Sequence, residues 1–449
     1  MKGRGWLAAP VMLSLLASGC YSTQVRVRRV PVPMSSQGSP GPQAIGGAES
    51  PNPGAGSATR TQGRHRFGPT PMGVRGATEV GVTSSSIKLG FIGDFTGQAR
   101  AFYGGVFDGA NAYVADLNAR GGINGRRVQI VYYTASYQSP DQVLAAARRL
   151  VEEDEVFAVV AQGEMRNAST SAIPYYNERG VPCVGCSSAS QQDLALGPAN
   201  FEIKIAPTNE GTIVGNFIAK RLKKTRMAIG YCPSAWSHQV RDAVTSSFQK
   251  EGGEVVDQRD IGACDQTSME STVSAWYSLV PRPDVVTVID PIGMAEGAAA
   301  ARRMGWDVQF TGAGGMYQLV LDIGGSQTEG LISTTGGFAP PGYQTPQMAR
   351  YRRVLNAYYP NRTEEEPTLY AWISLSFFEE AARRAGAGLT RRGLIQALNG
   401  MGGWDSGLGA VTSYSPERHW AFAKTSFFRI HDQAFEKATP EDFLSAEDQ

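Results

Sequence analysis

The chain has 449 residues, with 42 Lys plus Arg against 41 Asp plus Glu, 42% hydrophobic residues and 9% aromatic ones. Its length calls for two or three domains rather than one core. The near-zero net charge offers no basic field for nucleic acid and no acidic tail, and the composition is that of an ordinary globular protein.

The first residues stand apart. Lys2 and Arg4 precede an apolar run from Trp6 to Ala17, and Ala17-Ser18-Gly19-Cys20 follows. A basic start, a short apolar segment and small residues describe a secretory signal, too short for a permanent span. With Cys20 directly after Gly19 the segment resembles a bacterial lipoprotein signal peptide, here 1–19. That likeness implies that Cys20 becomes a lipidated amino terminus; Ala17 stands where the pattern usually has Leu, which lies one place earlier at Leu16.

Residues 20–84 read as an unstructured tether. Eight prolines fall between Pro31 and Pro71, interleaved with small residues, and such a stretch buries too little surface to offset its ordering entropy. Arg26, Arg28 and Arg29 lie close behind the lipid site, where they face either anionic head groups or water.

From Ser86 a βα rhythm begins. The β-branched run 87–93 reads as a strand buried on both faces. Val106, Ala110, Tyr113, Val114 and Leu117 then lay an apolar stripe along a helix that ends at Gly121-Gly122, and a second strand follows at 128–134. This is a βαβ unit with a right-handed crossover. Its first loop lies at the carboxyl end of the sheet, where open α/β folds bind ligands. Further strands are expected at 156–161, 181–186 and 202–205, with helices at 141–153 and 168–179. A second series follows: helix 211–222, strand 227–232, helix 237–251, strand 254–260, helix 268–279, strand 284–290, helix 294–304 and strand 308–311. The tail is expected to hold helices 367–385 and 391–398 and a strand at 426–431. The fold class is therefore α/β, two doubly wound lobes in succession.

Several blocks carry a specific likeness. IKLGFIGDFTGQARAFYGG, GANAYVADLNARGGINGRRVQIVYY, DQVLAAARRLVEEDEVFAVVA and NERGVPCVGCSSAS stand in order, followed by MAIGYCPSAWSHQVRDAVTSSFQKEGGEVV, AAAARRMGWDVQFTGAGG and GLGAVTSYSPERH. Together, over about residues 86–436, they resemble extracellular solute-binding proteins of the leucine/isoleucine/valine-binding type. The resemblance implies the type I periplasmic binding protein fold, two lobes joined by three crossovers near Pro207, Gly337 and Thr412. The lobes would be 85–207 plus 337–412 and 208–336 plus 413–445. It implies an extracytoplasmic lipoprotein that clamps a small polar or amphipathic ligand and delivers it to an ABC permease. A ligand-sensing domain of a regulatory system is the alternative, which neighbouring permease or kinase genes would decide.

No catalytic constellation stands against this. His65, His238, His419 and His431 show no metal-ligand spacing, and neither a GxSxG elbow nor a GxxxxGK phosphate cradle occurs. The run Glu152-Glu153-Asp154-Glu155 reads as a solvated helix end. No enzyme activity, cofactor or metal is expected.

The resemblance also carries over ligand positions. Phe102 keeps an aromatic in the first loop, and Trp236 replaces a second-lobe tyrosine. Arg166 stands for a serine, Ser188 and Ala189 for an Ala-Thr pair preceded by Ser187, and Gly314 for the carboxylate that accepts an amino acid's ammonium. Asp290 falls near a second tyrosine. An α-amino acid needs partners for both of its charges, because unpaired buried charge is very costly. A simple branched-chain amino acid is therefore not the expected ligand. Arg166 offers a bidentate grip for a carboxylate, or else a solvent-facing arginine. Asp290 supplies an anion, or else only caps the next helix.

Four further cysteines, Cys183, Cys186, Cys232 and Cys264, make an even number in an exported chain. Cys232 and Cys264 close two neighbouring strand regions and are expected to bridge. Cys183 and Cys186 lie three apart in a strand, on opposite faces, an awkward placing for a bridge.

Overall fold

The computed structural model describes residues 76–96, 99–136, 138–163, 169–186, 197–315, 318–362 and 365–449. The signal segment, Cys20 and most of the tether lie outside them. The end of the tether does not: Val82 is fully buried, and short bridges pair Glu79 with Val82 and Val82 with Ile87. The expected unstructured segment therefore stops short of residue 84, because Val82 carries an apolar side chain that the first lobe's core accepts.

The first lobe opens with β1 (Ser86–Gly93), α1 (Ala99–Ala119) and β2 (Arg127–Thr134), the expected βαβ unit. The two strands pair in parallel from Ser86↔Arg127 to Gly93↔Thr134. All five residues of the α1 stripe are buried. Next come α2 (Pro140–Arg148), extended by a π-turn to Glu153, β3 (Ala158–Gly163), α3 (Ser169–Glu178), β4 (Cys183–Cys186) and β5 (Asn200–Ile205). Ser139 caps α2, its hydroxyl accepting from the Gln142 amide, and Pro140 takes the first position, where no backbone donor is needed.

The chain then enters the second lobe through α4 (Pro207–Asn216), β6 (Arg226–Tyr231), α5 (Ala235–Lys250), β7 (Glu254–Asp260), α6 (Gln266–Tyr277), β8 (Val285–Ile289), α7 (Pro291–Arg303) and β9 (Gln309–Gly312). Two elements that the pattern did not reveal follow, α8 (Gln318–Gly324) and β10 (Ile332–Thr334). Back in the first lobe lie α9 (Pro346–Tyr358), α10 (Glu366–Ala385), α11 (Arg391–Asn399) and β11 (Trp420–Phe422), and the chain ends in the second lobe with β12 (Phe427–His431) and β13 (Ala434–Lys437).

Two sheets result. The first has the order β11-β5-β4-β3-β1-β2 and the second β13-β12-β10-β9-β8-β6-β7. β11 pairs in parallel with β5, so residues 420–422 belong to the first sheet rather than the second. The third passage between lobes thus falls between β11 and β12, not near Thr412. Backbone pairing with β5 decides this, and three residues are too few to show it as a pattern. The first two passages run through 206–207 and 335–337.

α10 is the spine of the first lobe. Leu369, Trp372, Ile373, Leu375, Phe377 and Phe378 are all buried, each contributing on the order of 2 kcal/mol. It crosses α1 closely at Gly109, where an added Cβ would lie 2.9 Å from the Thr368 Cα. That approach fixes the start of α10 beside the first loop, and so helps place the site.

Candidate functional site

In both sheets the parallel strands present their carboxyl ends to the same region. From the first lobe comes Phe102, near the start of α1 and half-buried. Its ring centroid is 5.2 Å from that of Tyr103 and 6.4 Å from that of Tyr370 in α10. Tyr370 donates its hydroxyl to the Gly185 carbonyl at 2.9 Å, which ties α10 to β4.

Beside these rings sits an ion pair that the sequence reading missed. Lys204, next to last in β5, places its Nζ 2.6 Å from Glu366 Oε1, with side chains 13% and 2% exposed. The ammonium also lies 5.7 Å from the Tyr370 ring centroid and 5.9 Å from that of Phe338. Glu366 opens α10, where the helix dipole favours a carboxylate. The only sequence cue was an acidic residue ahead of Pro367; its partner lies far away in the chain.

The second lobe contributes Trp236, half-buried in the first turn of α5. Ser234 caps that helix by accepting from the Ser237 amide at 3.1 Å, and the Ser237 hydroxyl accepts from the Ser234 amide at 3.1 Å. Trp236 stands over the loop after β9: a Cβ on Gly314 would lie 3.3 Å from its Cη2 and 3.2 Å from the Pro291 ring. Gly314 and Gly315 have φ of +117° and +98°, a region in which side chains are strained. A Cβ on Gly315 would collide with the Glu366 carboxylate. The two lobes therefore touch here, backbone of one against a buried charge of the other.

Asp290 caps α7, accepting from the Gly293 amide at 2.9 Å. It is at the expected strand end with its carboxylate engaged in that cap. Arg166, Ser187, Ser188 and Ala189 lie outside the described residues.

Cys232 and Cys264 form a disulfide with Cα atoms 5.7 Å apart, tying the loop after β6 to the loop after β7. Cys183 and Cys186 are also paired, Cα atoms 5.6 Å apart, against the expectation from strand alternation. Gly185, with φ of +72°, supplies the reason: a left-handed residue inside β4 breaks the alternation and turns both sulfurs to one side.

At the rim, Arg362 bridges Asp108 at 2.8 Å and Glu365 at 3.3 Å. Burial pushes the Glu365 carboxyl above its usual value; the Arg362 charge opposes this, while Asp108 and Asp322 of α8 add to it. Among the described residues, two groups have metal-like spacing. One is the disulfide with Asp290, whose sulfurs are already bonded; the other is Glu329, His431 and Asp432, all exposed. A surface pocket of about 220 Å³, lined by Arg302, Trp306, Gln309 and Glu329, lies at the amino ends of β9 and β10, away from the converging loops.

With this geometry in hand, the kinship is clear. The family model described as periplasmic binding protein matches residues 86–434. The chain is 26% identical over 317 residues to an amino acid binding protein of Pseudomonas aeruginosa, covering 68% of this chain and 80% of that one. It is 24% identical over 264 residues to the Leu/Ile/Val-binding protein of Escherichia coli, covering 56% and 68%. Among solved structures, it resembles the branched-chain amino acid transporter substrate-binding protein of Streptococcus pneumoniae in complex with isoleucine, with TM-score 0.69 and 19% identity over 79% of this chain and all of that one. It also resembles a solute-binding protein of R. palustris in complex with benzoate, with TM-score 0.68 and 15% identity over 80% and 98%. The chain thus belongs to the periplasmic binding protein family, with the two-lobed type I fold of that family.

Proposed function

We propose that this protein is an exported solute receptor that captures a small polar or amphipathic ligand between its lobes and delivers it to an ABC importer. One observation carries the reading: Phe102 and Tyr370 of one lobe and Trp236 with Gly314-Gly315 of the other converge at the carboxyl ends of two separate sheets, where Gly315 meets Glu366. Closing such lobes buries a ligand and creates a new surface for a permease. The relatives are amino-acid-binding proteins, and the ligands of the two neighbours, isoleucine and benzoate, share a carboxylate.

The ligand-binding set comprises Phe102, Arg166, Ser187, Ser188, Trp236 and Asp290. Arg166 grips a carboxylate, and the rings of Phe102 and Trp236 wall the apolar part of the solute. Leucine, isoleucine and valine bind more weakly than micromolar, because Gly314 brings no carboxylate to their ammonium and the nearby Glu366 is already paired with Lys204. A thermal-shift screen of amino acids, aromatic acids, amides and polyols identifies the solute, since a hundredfold excess over its Kd adds about 2.7 kcal/mol. Calorimetry then checks the site: Trp236→Ala lowers affinity about fivefold or more, a loss of at least about 1 kcal/mol. Unchanged affinity removes Trp236 from the cleft wall, and tight leucine binding removes the argument from Gly314.

Cys20 carries lipid and holds the receptor to the envelope. Cys20→Ser is expected to release the protein or leave an uncleaved precursor, as read by fractionation and mass spectrometry. A Cys20→Ser protein that loses its signal segment yet stays with the membrane would refute the anchor.

A further inference from the structure

We propose that the surface pocket at the amino ends of β9 and β10 is a second small-molecule site, separate from the cleft, that takes a short hydroxy acid as its monoanion. Its walls are the end of α7, the turn into β9, the turn into β10 and Lys224 ahead of β6, so it belongs wholly to the second lobe. It does not depend on what the cleft binds. The volume of about 220 Å³ is below the roughly 300 to 1,000 Å³ of pockets that hold drug-sized ligands, so the ligand is small.

Three lining groups have bonding capacity left over. Trp306 is 7% exposed, yet its indole N–H donates to nothing among the described residues. A buried Trp N–H ordinarily has an acceptor, so this one is free to meet a ligand. Lys224 is half-buried, and its ammonium has neither acceptor nor counter-ion among the described residues. Gln309 donates through Nε2 to the Phe310 carbonyl at 2.8 Å and to the Gly330 carbonyl at 2.9 Å. Both of its amide hydrogens are thus used, and Oε1 remains as an acceptor. The other charges of the lining are matched. Asp307 pairs with Arg302, which also donates to the Glu329 carbonyl at 3.2 Å. The Glu329 carboxylate meets His431 Nδ1 at 2.8 Å and accepts from the Asp432 amide at 3.0 Å. Lys224 is the cation left over, and it balances one negative charge. A carboxylate suits Lys224 and Trp306, and a hydroxyl on the same small molecule donates to Gln309 Oε1. A dianion such as phosphate would bring a second negative charge beside Asp307 and Glu329.

The test is fluorine NMR on the full chain in detergent, labelled with fluorotryptophan and titrated with L-lactate. The resonance missing from Trp306→Phe reports the pocket, and the one missing from Trp236→Phe reports the cleft. L-lactate is expected to move the Trp306 resonance saturably, with submillimolar affinity. Lys224→Met lowers that affinity about tenfold or more, whereas Lys224→Arg, which keeps the charge, holds it within about threefold. Propionate, which lacks the hydroxyl, binds more weakly than lactate by about threefold or more. L-alanine carries an ammonium in place of that hydroxyl and no net charge, and binds more weakly by about tenfold or more. Equal affinities for lactate, propionate and alanine overturn the proposal, as does a Lys224→Met protein with wild-type affinity or a Trp306 resonance that L-lactate leaves unmoved. If L-lactate moves the Trp236 resonance alone, it binds in the cleft: the receptor reading stands and this one falls.

Discussion

Replacing Glu379 by alanine is expected to lower the stability of the first lobe by about 3 kcal/mol at neutral pH. Glu379, on α10, accepts from the Tyr113 hydroxyl at 2.6 Å and pairs with Arg120 at 3.2 Å and Arg383 at 2.8 Å. Tyr113 is fully buried, so the truncation strands its hydroxyl and leaves a gap beside Trp372, whose ring centroid is 4.8 Å from that of Tyr113. The two arginines are more than a third exposed and recover water, which keeps the loss below that of a fully buried pair.

The same carboxylate gives the effect a pH signature. Burial alone would raise the Glu379 carboxyl, but hydrogen bonds from Tyr113 and Arg120, with the Arg120 charge, outweigh it and hold it below its usual 4.5. A carboxylate depressed by folding contributes stability above its unfolded pKa, and that contribution is lost as pH falls through the folded value. The gap between wild type and variant is thus expected to be full at pH 7 and to shrink steadily below about pH 4.5. Urea midpoints at pH 7 and pH 3 decide it. A gap that is the same at both would mean that the charge of Glu379 contributes nothing.

Removing the Cys232–Cys264 disulfide with two serines is expected to destabilise the second lobe by about 3 to 4 kcal/mol, from the loop-entropy estimate for a separation of 32 residues. Its consequence reaches the cleft. Cys232 ends just before the Ser234 cap that starts α5 and aims Trp236, and Cys264 packs on α7, where a Cβ at Gly293 would come within 3.3 Å of it. Solute affinity is therefore expected to fall together with stability. The check is a melting curve with and without reductant, alongside calorimetry on the Cys232→Ser/Cys264→Ser protein. Free thiols at both positions in protein from its native envelope would show that the bridge does not form.

The rhythm of strand and helix could be read along the chain because each buried face repeats locally. The run from Ser86 to Gly93 and the stripe Val106–Leu117 declare their period within a dozen residues, and so does α10. Phe102, Trp236 and Asp290 were singled out by the resemblance and not by periodicity; they stand near the start of α1, in the first turn of α5 and at the cap of α7. By contrast, β10, β11 and β13 have three or four residues each, too few to show alternation, and α9 begins after a Pro- and Gly-rich stretch that hides its start.

Four features were decided only by the tertiary structure. Residues 420–422 join the first sheet because β5 offers them its open edge. Cys183 meets Cys186 because Gly185 takes a left-handed conformation that a strand pattern does not announce. Val82 is buried because the first lobe's core accepts it across a short bridge, although its neighbours in sequence belong to a tether. Lys204 finds Glu366, and Glu366 finds Gly315, through packing between segments distant in the chain. Local periodicity fixes which face of an element is buried, and it requires only neighbouring residues. Which charge meets which, and across which lobe, depends on contacts between segments far apart in the chain, and no local pattern records those.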